Sequence, residues 1–184
     1  MSSFGKRDMS DLLGDSCPVS SAEHVQPHGI NPGVLLVELI MSADRIISAS
    51  EVAEAPASAD EWDASTILGH LLQVDEEVWI ARLETLLDPD YQAKHPDGAS
   101  FAWWEPDPVA TRARFHGKER SSVAADFLAM RTSLLMRLRG VDPSVWSLRW
   151  QHESRGELTL TDLILWVLEH DEEHRASILK LAKK

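Results

Sequence analysis

The sequence predicts an all-α protein, a four-helix bundle with a long crossover between the second and third helices. Four stretches place apolar residues at helical spacing, cap or turn signals bound them, and no run shows convincing strand alternation. At 184 residues, 43 % apolar and 26 % charged, the chain has the size and composition of one globular domain.

Residues 1–29 mix Gly5, Gly14, Pro18, Pro27 and Gly29 with serines and charges, and are expected to form a loosely ordered arm ahead of a bundle over 30–184. Asn31-Pro32 reads as an N-cap followed by proline at the first helical position. Leu35, Leu36, Leu39, Ala43, Ile46 and Ile47 then define a first helix from about 32 to 50, and the Pro56-containing stretch 51–61 is a connection. A second helix starts at Asp63 or Ser65 and runs to about Leu87, where Asp88-Pro89-Asp90 stops it. Its stripe is Ile67, His70, Leu71, Val74, Val78 and Ala81.

Residues 88–118 hold Pro89, Pro96, Gly98, Pro106, Pro108 and Gly117, and are expected to be a long irregular crossover with a short helix near 106–115. Such long loops are usually functional. Ser121 or Ser122 caps a third helix with the stripe Val123, Phe127, Met130, Leu134 and Leu138, and Gly140 and Pro143 close it. The stretch 145–156 has room for a short extended piece or a turn. Thr159-Leu-Thr-Asp162 resembles a capping pattern and opens a fourth helix, from about 160 to 182. Leu163, Val167, His170, His174, Ile178 and Leu181 form its stripe.

A formal net charge of −12 repels phosphate backbones, so no nucleic-acid partner is expected. No apolar stretch approaches the roughly 20 residues of a membrane span. The best, Gly33 to Met41, carries Glu38. The first residues lack the apolar segment of a secretory leader, and a cytoplasmic location is expected. A single cysteine, Cys17, excludes an internal disulfide framework and a cysteine-rich zinc site.

His170 and His174 lie four residues apart, which on a helix places both imidazoles on one face. Spacing alone is weak, since His24 and His28 share it with Pro27 between them. Position adds weight: His170 and His174 occupy the apolar stripe of the fourth helix, and His70 that of the second. A buried imidazole needs a polar partner, because leaving it unpaired costs about 1–3 kcal/mol. One shared metal satisfies all three, and so do three separate bonds to carbonyls or carboxylates. His95, His116 and His152 fall in loops and are expected to be solvated or structural.

The stretch Trp62-x-x-Ser-Thr-Ile-Leu-Gly-His70-Leu-Leu resembles the second helix of the DinB/YfiT-like family of metal-binding four-helix bundles. Arg131, Leu135, Leu138, Trp146, His152, Gly156, Thr159-Leu-Thr-Asp-Leu and His170-Asp-Glu-Glu-His174 extend that resemblance over roughly 30–184. It implies that His70, His170 and His174 hold one divalent metal. Some members are thiol S-transferases using bacillithiol or mycothiol, so the resemblance implies a small-molecule substrate and a low-molecular-weight thiol. It also implies a homodimer.

Three histidines leave open positions on a metal, as catalytic sites do, and imidazoles suit zinc, nickel, iron, cobalt or manganese. Such an ion activates a thiol or a water, giving S-transfer to small electrophiles or hydrolysis; a non-catalytic stress-response module is the remaining reading. Glu77, seven residues after His70, and Gln73 between them are the candidates to orient a ligand. Asp171 and Glu173 are expected on neighbouring faces, and Trp166 beside the pocket. A zincin requires H-E-x-x-H where this chain has Asp171, and a ferritin-like di-iron site requires E-x-x-H, which none of the eight histidines completes.

Overall fold

The apolar stripes form helices where their spacing places them. The computed structural model describes residues 30–58 and 60–182; the arm expected over 1–29, with Cys17 and the His24/His28 pair, lies outside them. Helix α1 spans Pro32–Glu51, capped by Asn31, whose side chain accepts from the Gly33 N–H at 2.8 Å. The second long helix is continuous but has three parts: α2 (Ala64–Val74), a π-helical turn (Asp75–Ile80) and α3 (Ala81–Leu87). Asp63 caps it by accepting from the Thr66 N–H at 2.8 Å.

The crossover is more ordered than its breakers suggest. It contains α4 (Pro89–Lys94), strand β1 (Ala99–Phe101) and α5 (Pro108–Phe115). Helix α6 (Arg120–Leu138) starts one residue before the expected serine caps, because the Glu119 carboxylate accepts from the N–H groups of Ser121 and Ser122. A hairpin of β2 (Arg149–His152) and β3 (Gly156–Thr159) leads into α7 (Leu160–Leu181), which opens with a Thr159/Asp162 capping box.

The all-α expectation therefore needs correction. The fold is a mostly helical bundle carrying a small sheet of order β1-β2-β3, parallel between β1 and β2 and antiparallel between β2 and β3. Strands of three or four residues are too short to display alternation in sequence. His152 also departs from expectation: it ends β2 and is buried.

Helix α1 packs on α7 and α6, and α2 packs on α6 and α7, so the pairs α1/α2 and α6/α7 lie on the diagonals of the bundle. That arrangement makes α2 and α7 neighbours. Two apolar clusters fill the interior, one around Leu39, Leu83, Leu134 and Val167, the other around Ile46, Leu68, Phe127 and Ile178. Where α1, α6 and α7 pass from one cluster to the other they place Ser42, Arg131 and Asp171, and near the same boundary the second helix adds Asp75. A polar layer thus crosses the bundle.

Candidate metal centre

His70 projects from α2, and His170 and His174 from one face of α7. Each offers a ring nitrogen, and these atoms lie within 4.8 Å of one another. The Nε2 atoms of His170 and His174 are 3.1 Å apart, close to the separation of two nitrogens sharing an ion at about 2.1 Å. The His70 ring centroid stands 4.7 Å from that of His174 and 5.4 Å from that of His170. Gly69 permits close packing beside His70, because a Cβ there would meet the Phe115 ring at 2.1 Å.

The alternative of three separately satisfied histidines does not describe this geometry. The Nδ1 atoms of His70 and His170 are buried without a hydrogen-bond partner among the described residues. Burial pushes all three imidazoles down to about 3, reinforced at each by a neighbouring ring. They are neutral at physiological pH, as metal ligands must be.

Beside the rings opens a pocket walled by Trp79, Trp103, Trp104 and Trp166, with Val74 and Val78 below and Arg82 at one side. Trp103 and Trp104 are about half exposed and form its mouth. Wider depressions elsewhere, such as the one between Ile47 and Leu128, contain none of the buried unpartnered polar atoms.

Of the candidate orienting residues, neither reaches the pocket lining. Gln73 is buried and its Oε1 accepts from the Thr111 hydroxyl at 2.9 Å. Glu77 lies exposed on the π-helical turn. A wide turn delays the helix by one residue, about 100° of rotation. That delay turns Glu77, expected on the side of His70, and Ala81, expected on the buried stripe, out to solvent, keeps Val78 on the stripe, and brings Arg82 into line with it. Asp171, next to His170 in sequence, faces inward and is fully buried against Arg131. Trp166 walls the pocket as expected. The residue that sequence reasoning missed is Arg82, and nothing in a regular 3.6-residue period signals it.

A family model described as the DinB superfamily matches residues 38–178. The chain belongs to the DinB superfamily. None of the curated proteins matches it. Among solved structures, this DinB superfamily chain is similar to YfiT from Bacillus subtilis, described as a probable metal-dependent hydrolase with an unusual four-helix bundle topology. The TM-score is 0.61 at 18 % identity, over 94 % of each chain, a likeness of fold. No described helix of this DinB superfamily member is long and apolar enough to cross a membrane.

Proposed function

We propose that this chain is a metal-dependent enzyme that holds one divalent ion through His70, His170 and His174 and transfers a low-molecular-weight thiol to a small electrophile. The observation carrying this reading is that three neutral imidazoles converge, two of them with unpartnered nitrogens, at a tryptophan-walled pocket. A divalent ion held there supplies Lewis acidity, which brings the pKa of a thiol or a water down towards neutrality. Trp79 and Trp166 exclude water and offer apolar faces, while Trp103 and Trp104 cover the entrance.

The lining favours a thiol over water. Metal-assisted hydrolysis usually employs a carboxylate base beside the nucleophile, whereas a coordinated thiol loses its proton without one. Glu105 is the carboxylate that reaches this lining, and it is exposed at the mouth. Hydrolysis is the second reading, favoured by the description of YfiT.

The test loads the purified chain with zinc or nickel and measures metal per chain alongside turnover. One ion per chain is expected, lost in His70→Ala and His170→Ala, with metal-dependent consumption of bacillithiol or mycothiol in the presence of epoxides or haloalkanes. A fully loaded protein that consumes no thiol but cleaves esters or amides would replace S-transfer by hydrolysis. Inactivity in both assays would make it a binding module.

A further inference from the structure

Three buried side-chain atoms lack a hydrogen-bond partner among the described residues: His70 Nδ1, His170 Nδ1 and Arg82 Nη1. Their residues line one pocket. The first two belong to the proposed metal ligands; the third calls for a different partner.

Arg82 is only 5 % exposed, yet no described carboxylate lies within ion-pair distance of it. Its guanidinium carbon lies 5.6 Å from the Trp79 ring centroid, 5.3 Å from that of Trp166 and 5.7 Å from that of Phe101. Those rings strip water from the cation and leave its N–H edge as the polar group. One nitrogen, Nη2, donates to the Ala102 carbonyl at 3.1 Å. The same nitrogen is 3.5 Å from His152 Nε2, at the outer limit of a hydrogen bond, while His152 Nδ1 faces Ser154 N–H at 3.3 Å and Ser154 Oγ at 3.1 Å. Both contacts engage Nη2, and Nη1 has no acceptor among the described residues. A buried cation left in this state is costly unless an anion completes it.

We infer that Arg82 anchors a carboxylate of the substrate, so that the pocket takes a small, apolar or aromatic carboxylic acid with its charge on Nη1 and its body among the tryptophans. The inference rests on the histidine site being an active centre and adds the chemical class of what enters it. With Nη2 engaged, the free donor Nη1 suits one oxygen of a planar monoanion. A phosphate dianion asks for more donors and would meet the like charge of Glu105 at the mouth.

The full chain, zinc-loaded and chelator-stripped, is titrated with phenylacetate, phenylacetamide and phenyl phosphate, and binding is read by tryptophan fluorescence and calorimetry. Phenylacetate is expected to bind at least about tenfold more tightly than the amide in both forms, as a charge-assisted hydrogen bond dictates, with phenyl phosphate weaker. Arg82→Gln should remove the preference and Arg82→Lys should retain part of it.

Equal binding of acid and amide to the unaltered chain would overturn the inference, without need of a variant that folds. So would a preference confined to the zinc-loaded form and surviving Arg82→Gln, which would assign the carboxylate to the metal. Tighter binding of phenyl phosphate would overturn the carboxylate class. Zinc uptake measured alongside separates the two readings: a chain that binds no zinc but prefers phenylacetate through Arg82 sinks the metal centre and keeps the anchor.

Discussion

Two arginines, Arg131 and Arg82, are buried in this bundle, and their surroundings differ completely. Arg131 donates through Nε and Nη2 to Asp75 at 2.8 and 3.1 Å, and through Nη1 and Nη2 to Asp171 at 2.6 and 2.8 Å. Every charge in that layer has a geometric partner, and Ser42 adds a 2.7 Å hydrogen bond to Asp171. Arg82 and the three histidines have ring faces around them and few acceptors. A satisfied network locks helices together; an unsatisfied one beside a pocket has chemistry left for a ligand. The comparison separates the part of the polar interior that builds the fold from the part that acts.

The largest effect that can break this division comes from Arg131. Arg131→Met removes the cation and leaves the Asp75 and Asp171 carboxylates facing each other in the core. Losing one partner of a buried ion pair costs about 3–5 kcal/mol, so urea denaturation should show most of the stability gone. A variant as stable as the parent would remove Arg131 from the structural side of the comparison.

The two regions also respond oppositely to pH. Burial, with the charge of Asp171, pushes Asp75 up to about 6 against the pull of Arg131. The folded state then holds that proton where the unfolded chain releases it near the ordinary carboxylate value of 3.8, so the associated stability is full below 3.8 and lost as pH rises through 6. The histidines are depressed to about 3 from 6.5, so their contribution is full above 6.5 and lost as pH falls towards 3. For metal-stripped protein below pH 6.5, each histidine is expected to cost up to about 1.4 kcal/mol per pH unit, offset in part by Asp75. His70→Phe should flatten the acid limb in urea titrations at pH 4 to 6.5. An unchanged limb would mean that the rings titrate freely.

The sequence already contained much of this molecule, for identifiable reasons. Helices of 19 to 22 residues with clean apolar stripes and side-chain caps, such as Asn31 and Thr159, announce themselves through period and punctuation. The three histidines were legible because they interrupt those stripes. The sheet was not, since pairing of Trp150 with Leu158 is a tertiary fact written in four-residue strands. Glu77 was misplaced and Arg82 missed because a π-helical turn shifts phase without a sequence marker such as proline or glycine. Arg131 and Asp171 each sat in motifs read for other reasons, and only packing across the bundle joins them.

The smallest effect tests whether the two regions are energetically separate. Asp171 adjoins His170 on α7, so the Arg131 network has a route by which to set the position of the histidines. Ser42→Ala deletes one hydrogen bond to Asp171 Oδ2 while the guanidinium keeps both its contacts to that carboxylate. A loss of about 1 kcal/mol in urea denaturation is expected, the worth of one ordinary hydrogen bond. Zinc affinity should stay the same, because the bidentate grip of Arg131 holds Asp171, and with it this turn of α7, in place. If zinc binding weakens along with stability, the satisfied network does more than build the fold: it aims the ligands, and the boundary between the two regions moves to include Asp171.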